Sequence, residues 1–245
     1  MRRFFVSPQE FKQDQVLLKD EEFHHLKNVC RLEEGERVEI LDGRGGIATA
    51  TIQKIDKKQA QLEITERRTL PALPQPQINL ILSLPRFQKM DTIIQKSVEL
   101  GVAQIIPVFS DRSFLKKPSA DLKSKIHRWN KIALEACKQS GRAWPLVLTV
   151  AVDLEEQLEK TAPQSALFLY EGEGALNIKQ ALEKLTLPPE INVYIGAEGG
   201  FSPREVELFV QKGLKPITLG ELVLRVETAC ITIAAVIKYH FNLMA

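Results

Sequence analysis

Cysteine is scarce. The 245 residues contain three, Cys30, Cys137 and Cys230, far apart and without a C-x-x-C pair. An odd, dispersed set of this kind excludes a disulfide framework and a thiolate zinc site, and a reducing compartment, the cytoplasm, is the expected setting. No other cluster of metal-ligating types stands out, and no metal is expected. An excess of one charge is also missing: the formal net charge is +2, so a nucleic-acid role requires local clustering. The N-terminal MRRFFVSPQE has no apolar run after its arginines, which argues against a secretory signal. The apolar stretch Ala229 to Ile237 is too short to span a bilayer, and no membrane role is expected. Neither G-x-G-x-x-G nor a glycine-rich loop ending in Gly-Lys-Ser/Thr occurs, which argues against a nucleotide-dependent dehydrogenase and a phosphate-cradling loop.

What is present reads as two domains. Residues 1–70 carry short strand patterns: Glu36 to Leu41 ends at the Asp42-Gly43 turn signal, Ile47 to Ile55 alternates partly, and Gln61 to Thr65 alternates again. A short helix is expected around Glu21 to Cys30. Short strands protect their edges best by closure, so a small β-barrel is the expected form. Residues 71–77 include Pro71, Pro74 and Pro76, which block helix and ladder alike and mark a linker. Beyond it, residues 78–245 alternate strand and helix. Ile78 to Leu84 is a buried-strand run. Lys89 to Leu100 places Met90, Ile93, Ile94, Ser97 and Val98 on one helical face, stopped by Gly101. Val102 to Phe109 is the next strand. Such β-α-β alternation implies an α/β domain with a parallel sheet. A helix from Asp121 to Ser140 follows, with Leu122, Ile126, Trp129, Ala133 and Ala136 on one stripe. Strands are then expected at Leu146–Val150, Ala166–Leu169, Ile191–Ile195 and Pro216–Leu219.

Two strand-to-helix loops stand out. In Ile195-Gly196-Ala197-Glu198-Gly199-Gly200-Phe201-Ser202-Pro203-Arg204-Glu205 the helix start is well specified. Ser202 and Glu205 form a capping box, Pro203 takes the first helical position, and Phe201 with Val206 forms a hydrophobic staple. The three glycines exceed that need. They serve either a tight turn or close approach of a ligand to backbone, at the strand ends where parallel sheets bind ligands. In Leu219-Gly220-Glu221-Leu222-Val223-Leu224-Arg225-Val226-Glu227-Thr228-Ala229 a strand leads into a helix running from Thr228 to about Phe241. Glu227 suits a helix N-terminus on its own, whereas Arg225 sits among apolar neighbours and is expected to need a partner. Between Arg112 and Arg142 lie nine Lys/Arg and two acids, while 151–215 holds eleven acids and six bases. That polarity fits either a solvated helix face or a face that meets a nucleic-acid backbone.

Taken together these segments resemble the RsmE family, the 16S ribosomal RNA uridine-N3 methyltransferases of the SPOUT class, over essentially the whole chain. IGAEGGFSPREVE is similar to the family's G-P-E-G-G loop, and LGELVLRVETA to its L-G-x-R-[IV]-L-R-x-E-T-A stretch. KMDTIIQKSVELGVAQIIPVFSDRS, EACKQSGRAWPL and HHLKNVCRLEEGERVEILDG match three further segments in the right order. Ala197 departs from the usual proline, Leu222 from arginine and Cys30 from leucine.

The resemblance implies a SPOUT-type parallel sheet threaded into a trefoil knot, behind a small PUA-like β-barrel that binds RNA. It implies a homodimer whose sites are completed by the partner subunit, S-adenosyl-L-methionine as cofactor, and 16S ribosomal RNA in the small ribosomal subunit as substrate. Cofactor contacts would come from Leu169, Tyr170 and Glu171, from Ile195, Gly196, Ala197, Glu198, Gly199 and Gly200, from Leu219, Gly220 and Leu224, and from Glu227, Thr228 and Ala229. Arg225 and Glu227 would be catalytic. Arg225 would stabilise charge developing on a uracil carbonyl, and Glu227 would either orient Arg225 or act as base. Arg2, Arg3, His25 and Arg31 would contact RNA from the front domain, and Arg112, Gln139 and Arg142 would lie on the substrate side of the catalytic pocket. Two other readings stay open from the residues: a transfer-RNA methyltransferase of the same class, and a non-catalytic RNA-binding assembly factor.

Overall fold

The computed structural model describes residues 1–185 and 187–244, which fall into two compact units. The first comprises Met1–Ala72 together with Glu135–Pro145, and the second Leu73–Leu134 together with Leu146–Ala245.

The first unit runs β1 (Arg3–Phe5), α1 (Pro8–Phe11), β2 (Gln15–Lys19), α2 (Asp20–His24), a π-helical turn (His25–Val29), β3 (Arg37–Leu41), β4 (Gly46–Ile55) and β5 (Gln59–Thr69). Its five strands are ordered β1-β3-β4-β5-β2, with β1 parallel to β3 and the other pairs antiparallel. The expected closed barrel is thus a curled half-barrel, since β1 and β2 end the sheet without pairing to each other. Register shifts at Thr49/Ala50 and Ile52/Lys54 supply the curl, because a bulge bends its strand and raises the local twist. Alternation does the rest: β2 buries Val16 and Leu18 and exposes the residues between them. Its buried residues join Phe4, Leu26, Ile40, Ile52 and Leu62 in one core. The Asp42-Gly43 signal is a turn held by the Asp42 carboxylate, whose Oδ1 accepts from Arg44 N at 2.7 Å and Gly46 N at 2.8 Å.

Segment 135–145 belongs to this unit for local reasons. The Trp144 ring fills the space that a Cβ on Gly45 would need, at 2.7 Å, and its Nε1 donates to Pro71 O at 2.9 Å. Arg3 donates through Nε to Glu39 Oε2 at 2.8 Å and through Nη1 to the carbonyls of Lys138 (2.8 Å) and Gln139 (3.2 Å), which satisfies groups a helix end leaves open.

The second unit runs β6 (Gln77–Ser83), α3 (Phe87–Glu99), β7 (Gln104–Phe109), α4 (Ala120–Ser140, whose last turn counts with the first unit), β8 (Val147–Leu148), β9 (Val152–Asp153), α5 (Leu154–Glu159), β10 (Ala166–Leu169), β11 (Leu176–Asn177), α6 (Ile178–Glu183), β12 (Glu190–Ile195), α7 (Pro203–Gln211), β13 (Lys215–Thr218) and α8 (Val226–His240). Every strand pair is parallel, in the order β11-β13-β10-β12-β6-β7-β8, with β9 also on β7. The buried run at β6 and the five-residue face of α3 are as the pattern implies, with Met90, Ile93, Ile94, Ser97 and Val98 all buried. The expected strand Leu146–Val150 shrinks to Val147–Leu148, because it sits at the end of the sheet order with Val147 and Val150 exposed. After β13, next to the far edge, the chain returns and α8 packs on α3 and reaches β6 and β12. Its small residues Ala229 and Ala234 are buried on this side. That return carries residues 219–225 from the end of β13 back toward the middle of the sheet. Among the described residues no helix is long and apolar enough to cross a membrane, and no group of three His, Cys, Asp or Glu could hold a metal ion.

Candidate functional site

The carboxyl ends of β10, β12 and β13 open on one side of the parallel sheet, and the segments that follow converge on a cavity of about 420 Å³. Ligand sites of open parallel sheets fall in this position, and the size is that of a small-molecule pocket. Its walls are residues 169–172, 195–201 and 223–226, with Ala229, Lys89 and Arg112.

The glycine loop forms the tightest wall. Ala197 and Gly200 make an isolated β-bridge, with Gly200 N donating to Ala197 O at 2.9 Å. A Cβ on Gly196 would lie 2.8 Å from the Gly200 backbone, so only glycine fits there, and Gly200 itself has φ +66°. Ala197 in place of a proline leaves this turn closed. Behind the loop the capping box is present: Ser202 Oγ accepts from Glu205 N, and Glu205 Oε2 accepts from Ser202 N at 2.7 Å. Glu205 is 1% exposed, and its second oxygen accepts from Asp111 N at 2.7 Å. The Arg204 guanidinium and Ser202 hydroxyl beside Asp111 hold that carboxyl below its usual range. The glycine loop is thereby pinned to the segment that follows β7. The same segment supplies Arg112, whose Nη1 donates to Gly199 O at 2.7 Å. The Phe201 and Val206 staple is also present, both side chains packing in the core cluster around Phe209.

The second loop supplies the outer wall. Arg225 caps α8 with extended backbone, φ −63° and ψ 151°. Its side chain is exposed, and among the described residues it has no hydrogen-bond or ion-pair partner. The expected need for a protein partner does not arise, because the guanidinium faces solvent at the cavity rim. Leu222, in the position of a family arginine, is 81% exposed. Glu227 lies in the first turn of α8. Burial would raise its carboxyl, but its own backbone N–H, Lys89 and Arg225 outweigh burial and hold it below the usual range. The next buried polar group, Cys230, is pushed up by burial and by Glu227, so it is a packed thiol and no nucleophile.

Eleven of the expected cofactor residues therefore line one cavity: Leu169, Tyr170, Glu171, Ile195, Gly196, Ala197, Glu198, Gly199, Gly200, Leu224 and Ala229. Arg225 lines it with them. Leu219, Gly220, Glu227 and Thr228 are not among the lining residues, though they belong to the same loop and helix start. Arg112, expected on the substrate side, is part of the wall itself. Sequence reasoning missed Lys89, whose Nζ lies 3.2 Å from Glu227 Oε2 and 3.6 Å from Glu198 Oε1. A lysine in the first turn of an amphipathic helix gives no signal by itself.

The RNA-side residues expected in the front domain gather elsewhere. A cavity of about 220 Å³ in the first unit is lined by Met1, Arg2, Arg3, His25 and Cys30 with Glu135, Lys138 and Gln139. Arg3 is committed to Glu39 and to helix carbonyls, and His25 lies 3.3 Å from Lys138 Nζ and edge-on to Phe4. Arg2 and Arg31 are exposed. Arg142 is half-buried and donates to Trp144 O.

A parallel sheet whose strand-end loops build a glycine-walled, mixed-charge pocket, carried with a curled β unit, defines the class of two-domain RNA methyltransferases. The sequence matches the RNA methyltransferase domain over residues 71–238 and the RNA methyltransferase PUA domain over residues 18–65. The chain belongs to the RsmE family of ribosomal RNA small subunit methyltransferases. It is 32% identical over 231 residues to the ribosomal RNA small subunit methyltransferase E of Synechocystis, covering 93% of this chain and 74% of the relative. With the Aquifex aeolicus protein of that name it shares 33% over 224 residues, covering 91% and 93%. Two solved structures superpose closely, both with S-adenosylmethionine bound. They are a Legionella pneumophila methyltransferase (TM-score 0.89, 29% identity, 97% of each chain) and the Neisseria gonorrhoeae ribosomal RNA small subunit methyltransferase E (TM-score 0.87, 29% identity, 98% of each chain).

Proposed function

We propose that this protein transfers the methyl group of S-adenosyl-L-methionine to N3 of a uridine in 16S ribosomal RNA of the small subunit. The observation that carries the reading is the glycine-walled cavity at the ends of β10, β12 and β13 with Arg225 at its rim. The walls fit the donor. Gly196 packs against the Gly200 backbone with no room for a Cβ, so the loop lines the cavity with bare backbone, and Glu171 and Glu198 supply acceptors for ribose hydroxyls or an ammonium. When bound, the donor supplies an electrophilic methyl on a sulfonium. The protein's part is to hold, orient and balance charge. Backbone groups at 196–200, 219–220 and 224 would hold the donor, with Leu169, Tyr170, Thr228 and Ala229 beside them. Uracil N3 carries a proton and is a poor nucleophile at neutral pH, so the site must stabilise the anion left when that proton departs. Arg225 is exposed and uncommitted, which suits a cation that binds a uracil carbonyl oxygen. Glu227 is held below the usual carboxylate range and is a weak base, so of its two readings orientation of Arg225 is favoured.

Arg112 meets the RNA beside the pocket, and Arg2 and Arg31 meet it from the first unit. The enzyme is a cytoplasmic homodimer. In support, the side of α8 away from α3 carries half-exposed Ile231, Ala235 and Val236 and a Tyr239 that is 78% exposed, an apolar face a second copy would cover. A trefoil knot accounts for the return of the chain from β13 across the sheet to α3. Incubating protein and donor with small-subunit particles and mapping the modified base tests the function. N3-methyluridine in 16S RNA is expected. Donor binding without RNA methylation would leave the fold a binding module.

A further inference from the structure

The two loops of the cavity are tied together by a residue from a third element. Lys89, in the first turn of α3, is a cavity-lining residue whose side chain is one-quarter exposed. Its Nζ lies 3.6 Å from Glu198 Oε1 in the glycine loop and 3.2 Å from Glu227 Oε2 at the start of α8. Glu198 is further fixed by Arg86 N, which donates to its Oε1 at 3.2 Å. Glu227 Oε2 is buried and accepts no hydrogen bond, so the Lys89 ammonium is its close counter-charge. We propose that Lys89 is a positioning residue of the donor site, one cation whose shared attraction for Glu198 and Glu227 holds the glycine loop and the start of α8 at the spacing the donor requires. The inference rests on reading the cavity as the donor site.

Lys89 is the cation in ion-pair range of both carboxylates, while Arg225 acts on Glu227 only from a distance. From its own helix Glu227 faces Arg225, which points to solvent, and the buried Cys230 thiol. The glycine loop contributes Glu198, a like charge. On α3, Asp91 is paired with Arg128, and Lys96 with Glu99. The strands beneath α8 add little: β6 has no charged residue, and the Glu190 carboxylate on β12 is bonded to Asn79 and Asn192. Without the ammonium two carboxylates face each other in a half-closed site. Like charges at close range disfavour joint ionisation, so one of them takes up a proton instead. A proton can replace the lysine, but only in mildly acid solution.

The test is donor affinity, measured by calorimetry with S-adenosylmethionine and with S-adenosylhomocysteine, on the full chain. For Lys89→Met we expect binding about tenfold weaker than wild type near about pH 8, recovering to within about threefold near about pH 5.5. Lys89→Arg keeps the charge and stays within about threefold at both values. A loss equal at both pH values, or not rescued by arginine, would overturn the charge-sharing role. The ligand-free protein gives an independent readout. In Lys89→Met the carboxylate pKa is raised in the folded state, so stability is present at low pH and lost as pH rises, and its unfolding midpoint falls more at about pH 8 than at about pH 5.5. A midpoint shift independent of pH counts against the proposal. Wild type that fails to bind either compound would sink the donor-site reading, whereas a Lys89→Met protein binding like wild type at both pH values would sink the positioning role alone.

Discussion

Arg112 and Gly199 hold one another: the guanidinium donates to the Gly199 carbonyl at 2.7 Å, while the absence of a side chain on Gly199 lets the arginine stem lie across the loop, 3.3 Å from where a Cβ would be. The glycine loop is therefore shaped from outside as well as by its own turn. Arg112→Lys keeps the charge but loses the planar fork, and Arg112→Ala loses both. We expect donor affinity to fall in both variants, more in the alanine, with little change in unfolding midpoint because Arg112 is on the surface. Unchanged donor affinity in Arg112→Ala would leave the arginine a purely RNA-facing residue.

The turn itself can be tested without touching charge. Gly196→Ala drives a methyl to 2.8 Å from the Gly200 backbone, a contact relieved only by moving the loop. Gly200→Ala asks an L side chain to adopt φ +66°, which costs about 1–2 kcal/mol. Donor binding should be abolished in the first and weakened about tenfold in the second. Calorimetry on folded protein, verified by circular dichroism, reads both.

Arg225 separates binding from transfer. Among the described residues its guanidinium has no hydrogen-bond or ion-pair partner, so Arg225→Ala should fold and melt nearly as wild type does. If the guanidinium stabilises charge on the acceptor base, transfer to small-subunit particles falls about 100-fold or more while donor binding stays near normal. Near-normal turnover removes Arg225 from the mechanism.

These sites were legible in the sequence to different depths. The glycine loop could be placed to the residue, because a capping box, a first-turn proline and a staple fix a helix start by local chemistry alone. The buried face of α3 was equally clear from its period. Lys89 was not, because its role depends on two carboxylates far along the chain that no spacing rule connects to it. Nor were the partners of Arg3 legible: its side chain bonds Glu39 and the carbonyls at the end of α4, which lie far along the chain from it. The curled β unit follows the strand patterns, but those patterns reveal neither which edges meet nor that segment 135–145 joins this unit.

That commitment of Arg3 makes a prediction of contrast. Arg3→Ala leaves the Lys138 and Gln139 carbonyls and the Glu39 carboxylate without their shared donor, and should lower stability by about 1–3 kcal/mol. Arg2→Ala and Arg31→Ala remove exposed cations and should leave stability within about 0.5 kcal/mol of wild type. In RNA binding the order reverses. Removing an exposed arginine that meets a phosphate lowers the salt dependence of affinity by about one unit of slope. Thermal unfolding beside binding titrations over a salt series checks both halves, and an Arg3→Ala protein with normal stability but reduced salt slope contradicts the assignment.

Lys138 is the most deeply placed cation in the first unit, with a side chain 7% exposed. Its Nζ meets Glu22 Oε1 at 2.7 Å and Glu135 Oε1 at 2.8 Å, with His25 Nδ1 at 3.3 Å. Burial raises the Glu22 carboxyl above its ordinary value, and the attraction of Lys138 offsets this only in part. A carboxyl whose folded value is raised favours folding while it is protonated and loses that contribution as pH climbs through the folded value. Lys138→Met removes the offset, so the folded value climbs further and the penalty at neutral pH grows. Breaking such a pair from one side costs about 3 kcal/mol. We expect the variant to melt well below wild type near neutrality and to regain much of the difference in mildly acid solution. Because His25 and Glu135 also lie against the Lys138 ammonium, Lys138→Met with Glu22→Gln is the deciding comparison. It should melt higher than the single variant at neutral pH and lose the acid recovery. If the double variant keeps the same pH profile as the single one, Glu22 is not the group that burial has displaced.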